Sequence, residues 1–230
     1  MSGDHERAGF EALAASGADD QAARSLAAKL KAAPDAPALK SLAALWLHCA
    51  VAQGAPKRFD VEALRRYPQG SLAASFVAML DAEGFDPEPL SREDLGIAKL
   101  PPPLDYLNAR ILQCHDLWHL VAGYRTTALH EVAISGFQLA QFGHHYSAMF
   151  LGMVLTRVAF EAPQGGPILL ETILTAWSHG RKSPPLLPVK WESLWDKGLS
   201  DVRARLKIAP YISPFPSDLF EQLNIPADVA

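Results

Sequence analysis

The chain has no long hydrophobic run. Its most apolar stretches, SLAALWLHCAVA and AMFLGMVLT, fall short of the roughly 20 residues a helix needs to cross a bilayer. The N-terminus MSGDHERAGF shows no basic region followed by an apolar core, so no secretory signal is visible. A cytoplasmic protein is expected, touching the inner face of a membrane peripherally if at all. Basic excess is also missing: 21 Lys and Arg stand against 25 Asp and Glu, a net charge of −4. That balance argues against a nucleic-acid partner. Only two cysteines occur, Cys49 and Cys114, far apart and in no CxxC pair. They read as small buried thiols rather than a disulfide framework. No Walker sequence, no G-x-G-x-x-G after a strand and no G-x-S-x-G appears, which removes the usual nucleotide, flavin and serine-hydrolase readings.

What the chain does have is alanine and leucine, with few β-branched residues and little period-two alternation, and this favours helices throughout. At 230 residues and 24.9 kDa it can bury a sizeable core. An all-α, single-domain helical bundle is expected, with a metal site between two consecutive helices. Its parts read as a helical extension over 1–55 packed on the core, a core over 56–210 and a proline-rich tail over 211–230. Helices are expected over 19–33, 38–54 and 69–84. A connector rich in proline and charge, DPEPLSREDLGIAKLPPP, follows. From Pro103, Leu104, Leu107, Ile111, Cys114, Trp118 and Val121 recur by threes and fours, one apolar stripe that Gly123 ends. A single long helix is expected from about Thr127 to Phe160, then PILLETILTAWSHG as another. One or two short helices follow in WESLWDKGLSDVRARLKI, and the tail is expected to wrap the surface.

The stretch HDLWHLVAGYRTTALHE, His115 to Glu131, gathers three histidines and two carboxylates. His115 and His119 are four apart on one helix, one turn above the other. Asp116 is 100° round from His115 and three residues from His119, so all three fall within roughly a 100° arc. Imidazole nitrogen and carboxylate oxygen at this spacing suit zinc or non-haem iron. A reversal near Gly123 would bring the next helix alongside with Glu131 near its start, a natural fourth ligand. Spacing alone leaves a hydrogen-bonded polar cluster equally open, since buried histidines and carboxylates need some partner.

These residues carry a resemblance. H-D-x-x-H, eleven residues, then E resembles the signature of the coenzyme Q biosynthesis protein 4 family. PQGSLAASFVAMLDAEGFDPEP and LNARILQCHDLWHLVAGY are similar to segments of that family, as is AWSHGRKSPPLLPVKWESLWDKGLSDVRARLKIAP. The resemblance runs from about Phe59 to Pro210. It implies a helical fold and a divalent metal, zinc first and iron second, at His115, Asp116, His119 and Glu131. It also implies a cavity for a polyprenyl chain and work late in ubiquinone assembly. The activity implied is metal-dependent, oxidative decarboxylation at a ring carbon of a 4-hydroxy-polyprenylbenzoate intermediate, a lyase reaction. The same four residues would be catalytic. Partners implied are the polyprenylated acid or quinone, other quinone-biosynthesis enzymes, a second copy of the chain and the membrane surface. One position departs from the pattern: the family usually has Gly before the motif Glu, and this chain has His130. His130 could be a spare ligand, a proton carrier or a surface residue, and because consecutive helical residues diverge by 100° the surface is expected.

Other candidates are weaker. His144 and His145 in GHHYS read as ordinary polar lining or surface, with His145 roughly 21 Å from Glu131 along a continuous helix. His48 reads as a core histidine. Arg110, roughly 140° from His115, is expected to be exposed or locally paired. Two alternatives to the decarboxylase stand. One is a prenyl-lipid-binding scaffold whose metal is structural. The other is an HD-type phosphohydrolase, which the spacing of His119 and Glu131 suits less well.

Overall fold

Eight α-helices, three short 3₁₀ turns and no strand make up the described residues. The computed structural model describes residues 56–86, 88, 91–100 and 104–223. The expected helices over 19–33 and 38–54, with His48 and Cys49, lie outside them. The all-helical expectation holds.

Each helix begins and ends where its capping chemistry allows. Helix α1 (Val61–Leu64) starts at Asp60, whose side chain accepts from the Ala63 N–H. Helix α2 (Leu72–Glu83) starts at Ser71, whose hydroxyl accepts from the Ala74 N–H, and stops at left-handed Gly84. Such caps satisfy orphan backbone donors and carry about 1 kcal/mol each. Helix α3 (Leu104–Ala122) carries the expected stripe, with Leu107, Ile111, Cys114, Trp118 and Val121 all buried. Gly123 ends it twice over. Its φ is 79°, and a Cβ there would lie 2.8 Å from the Pro210 side chain. Only glycine meets both conditions without strain.

The long helix expected from Thr127 to Phe160 is two helices, α4 (Ala128–Phe142) and α5 (His145–Glu161). Gly143 breaks it: at φ 66° it adopts the left-handed cap and turns the chain. An apolar pattern continuing on both sides of a glycine does not reveal this, because both helices bury apolar faces. Helix α6 (Gly166–Lys182) follows, with Pro167 in its first turn and His179, Arg181 and Lys182 in its last. Proline and basic residues suit those ends, since the first lacks acceptors for N–H groups and the last exposes carbonyls. Helices α7 (Leu199–Leu206) and α8 (Leu219–Gln222) complete the order.

The residues fall into two compact units, one comprising 56–59, 86–115 and 187–189, the other 60–85, 116–186 and 190–223, as far as they are described. The division runs through the continuous helix α3. Polar side chains stitch the first unit. Glu88, 4% exposed, is gripped by Arg92 and by Arg58 at 3.2 Å. Arg110 is also buried, correcting any exposed placement; it donates to Gln113 Oε1 at 2.6 Å and to the Val189 carbonyl at 2.7 Å. Buried charges persist only when paired in this way.

The second unit is built around α4. Helix α4 packs against α6 so closely that Gly136 and Gly180 face the opposing backbone, where a Cβ would lie 3.0 Å from the Ile173 carbonyl and 2.7 Å from the Phe137 carbonyl respectively. Leu129 and Val132 of α4 join Leu151, Val154 and Val158 of α5, Leu169 of α6 and Phe220 of α8 in one apolar cluster. Fully burying side chains of this size stabilises by about 1.5–3 kcal/mol each. The tail expected on the surface thus sends Phe220 into the core. On α2, Phe76 stacks on Trp195 at 6.0 Å, and Arg65 grips Asp81 with both terminal nitrogens at 2.6 Å.

Candidate metal centre

His115 and His119 stand one turn apart on α3, as the spacing requires, and α4 returns from the Gly123 turn with Glu131 in its first turn. One donor atom from each of His115, His119 and Glu131 lies within 4.8 Å of the others. The Asp116 carboxylate is outside that set. The 100° between neighbouring helical residues carries the half-buried Asp116 round from His115.

The closest pair is the informative one. His119 is 1% exposed, and its Nδ1 lies 3.0 Å from the Arg125 carbonyl oxygen. That oxygen can only accept, so Nδ1 carries the proton. The other ring nitrogen, Nε2, lies 3.2 Å from Glu131 Oε1. A lone pair facing a carboxylate at that distance is repulsive unless a cation lies between, either a second ring proton or a metal ion. Two ligands about 2.0–2.2 Å from a tetrahedral ion are separated by roughly 3.3–3.5 Å. The observed separation is close to that bite. A backbone carbonyl holding the far nitrogen is also the usual support of a metal-binding imidazole. Two histidine nitrogens and a carboxylate oxygen could therefore hold a metal ion, and donors of these types are ones that zinc-class and iron ions accept.

His130 is not at the surface: it is 4% exposed. Its Nδ1 accepts from the Arg125 N–H at 2.8 Å, so its neutral ring carries the proton on Nε2, which has no hydrogen-bond partner among the described residues. The ring stands edge-on to Tyr124 and Tyr211 at 6.2 and 5.6 Å. Burial, then the nearby His119 and Arg125, press its pKa down to about 4. The 100° rule placed it away from Glu131 correctly, but the face beyond Glu131 is packed against the Gly123 turn rather than open.

Beside these residues lies an aromatic cluster that sequence reasoning missed. Tyr124 and Tyr211 stack at 4.4 Å. The Tyr124 hydroxyl donates to His179 Nδ1 at 2.8 Å, because His179 Nε2–H is committed to the Ala209 carbonyl at 2.8 Å. Burial lowers the His179 pKa and raises that of Tyr124 well above the usual phenol range; it pushes Tyr211 up to about 12. Tyr124 and His179 are 55 residues apart, and neither sits in a local pattern, so nothing short-range signals their meeting.

A cavity of about 950 Å³ opens against His119, Tyr124, Arg125, His130, Arg203 and Phe215 among others. Arg203 is held there by the Leu120 and Val121 carbonyls at the end of α3. His144 is buried polar lining, as expected, bonded to Ser147 Oγ at 2.9 Å. The side chain of His145 lies outside the described residues.

Comparison with known proteins gives these features a lineage. The chain is 33% identical over 149 residues to a Drosophila ananassae protein named ubiquinone biosynthesis protein COQ4 homolog, mitochondrial, covering 65% of this chain and 54% of that one. It is 30% identical over 152 residues to the Yarrowia lipolytica protein named ubiquinone biosynthesis protein COQ4, mitochondrial, covering 66% and 56%. The chain thus spans about half the length of the curated relatives it matches. A crystal structure from Nostoc punctiforme, described as a candidate ubiquinone biosynthesis protein, superposes with a TM-score of 0.56 at 24% identity, covering 82% of this chain and 85% of that chain. That likeness supports the helical fold.

The expected cytoplasmic location is corrected by the same relatives, which are named as mitochondrial and point to the mitochondrion. An address is read by receptors and is not imposed by the physics of a core, so composition held no information about it. No helix among the described residues is long and apolar enough to cross a membrane. The sequence pattern of the family described as coenzyme Q (ubiquinone) biosynthesis protein Coq4 matches residues 55–211, and the chain belongs to that family.

Proposed function

We propose that this chain acts in ubiquinone biosynthesis as a metal-dependent decarboxylase of a 4-hydroxy-polyprenylbenzoate intermediate. The observation that carries the reading is the convergence of His115, His119 and Glu131, with His119 Nε2 turned to Glu131 Oε1 at 3.2 Å. These three would hold the ion, zinc before iron. Asp116, on the adjoining arc, would complete the set by rotation about its own side-chain bonds. Bound there, a divalent ion supplies Lewis-acid stabilisation of the charge that develops as a carboxylate leaves.

The chain's own residues supply the rest. The Arg125 carbonyl holds His119 in one tautomer and one orientation. The cavity beside His119 has room for a substituted ring, with Tyr124, Tyr211 and Phe215 as apolar walls. Arg125 and Arg203 in its lining offer positive charge to a ring carboxylate, Arg203 already oriented by two backbone carbonyls.

A second reading is favoured by Met149, Met153 and Phe160 of α5 and Leu170, Leu174 and Trp177 of α6, all exposed. Such apolar side chains on helix surfaces mark contact with partners. In that reading the chain gathers other quinone-biosynthesis enzymes and its metal is structural.

The deciding experiment expresses wild type, His119→Ala and Glu131→Ala to equal levels in cells lacking the protein, with helicity and melting temperature confirmed. Elemental analysis, quinone content and accumulated carboxylated intermediates are then measured. The expected result is about one zinc-class ion per wild-type chain, loss of metal from both variants and no restored quinone. Normal quinone from a folded, metal-free variant would overturn the catalytic reading and leave the scaffold.

A further inference from the structure

His130 closes a ring of bonds around the candidate metal site. From Glu131 Oε1 the path crosses 3.2 Å to His119 Nε2, passes through that imidazole, and leaves by Nδ1–H to the Arg125 carbonyl at 3.0 Å. It continues through residue 125 to its N–H, which donates to His130 Nδ1 at 2.8 Å. His130 is covalently joined to Glu131. Every link but the first is a hydrogen bond or a covalent segment of the chain.

Arg125 is the part of this ring that lies outside any helix. It lies between α3, which ends at Ala122, and α4, which begins at Ala128, so no helix ladder fixes its backbone. Its side chain is exposed and has no anchoring hydrogen bond or ion pair among the described residues. The His130 ring is the fixed part. It is 4% exposed and wedged edge-on against the stacked pair Tyr124 and Tyr211, while its backbone belongs to the first turn of α4.

We propose that His130 is a positioning residue for the metal site: its Nδ1 holds the Arg125 backbone, and the Arg125 carbonyl in turn aims His119 Nε2 at the ion beside Glu131. This rests on the metal reading given above. The ligand class concerned is a divalent cation, and the role needs a hydrogen-bond acceptor at His130, not merely a side chain of its volume. Outer supports of this kind typically change metal affinity 10- to 100-fold.

The test uses the full chain, stripped with a chelator and titrated with cobalt(II), followed through its visible d–d absorption and by chelator competition. Three variants divide the alternatives: His130→Ala removes ring and acceptor, His130→Phe keeps an aromatic of similar bulk, and His130→Asn keeps an acceptor within reach of the Arg125 N–H. Expected are about one cobalt per wild-type chain, affinity lowered 10- to 100-fold with an altered band in His130→Ala and His130→Phe, and substantial recovery in His130→Asn. Wild-type affinity in His130→Ala would overturn the proposal while leaving the metal site intact. Recovery by Phe and not by Asn would also overturn it, reducing His130 to a filler. Failure of the wild-type chain to bind cobalt would overturn the metal reading itself, and this inference with it. Circular dichroism accompanies each titration; if His130→Ala does not fold, the comparison of Asn with Phe decides.

Discussion

One chemical change at two glycines should have opposite effects. Gly152 and Gly180 both sit in helices, α5 and α6, where alanine is intrinsically better than glycine by about 1 kcal/mol. At Gly152 a Cβ would meet nothing within 4 Å, so Gly152→Ala should realise most of that gain. At Gly180 the same atom would lie 2.7 Å from the Phe137 carbonyl and 2.8 Å from the Ala140 Cβ. Ordinary contact begins near 3.4 Å, so α6 and α4 must part by about 0.7 Å. The obstructing atoms are backbone and a Cβ, neither of which can rotate aside. Overpacking of this kind costs about 1–3 kcal/mol, and the rigid neighbours favour the upper half of that range. Offset by the propensity gain, Gly180→Ala should lose about 1–2 kcal/mol, leaving the two variants about 2–3 kcal/mol apart. Urea denaturation followed by circular dichroism measures both directly. Equal stabilisation of the two would refute the close approach of α4 and α6.

Three further outcomes are expected. Phe220→Ala should cost about 3–5 kcal/mol in the same denaturation assay, since Phe220 is fully buried with Leu129 and Val132; a loss below about 1 kcal/mol would return it to a surface tail. Arg110→Met should cost about 2–4 kcal/mol by stranding Gln113 Oε1 and the Val189 carbonyl, because charge-assisted hydrogen bonds in buried surroundings are strong; an unchanged midpoint would refute it. His179 has its pKa lowered below 6.5 by burial, so below that pH the unfolded chain binds more protons than the folded one. Its contribution is complete above pH 6.5 and declines as pH falls through the range below it. His179→Gln, which can still accept from Tyr124 and donate to Ala209, should flatten that acid slope of unfolding free energy; an identical slope would exclude His179 as its source.

Within α3 the sequence by itself determined nearly everything. A stripe stepping by threes and fours buries one face, Gly123 stops the helix, and a four-residue spacing stacks His115 over His119. These are consequences of 3.6 residues per turn and of one residue's steric freedom, both local. The arrival of Glu131 was legible too, since a glycine turn followed by a second helix leaves few other paths. Tertiary structure decided the rest. Asp116, 100° round the helix from His115, falls outside the donor set that Glu131 of α4 completes. His130 turns inward because Tyr211, 81 positions later, covers the face where solvent was expected. Gly143 divides one apolar pattern into two helices, as its left-handed φ of 66° requires. Phe220 leaves a proline-rich tail for the core of the second unit. Helix periodicity repeats along any stretch of suitable sequence, but which face meets water depends on partners that the chain brings back from far away.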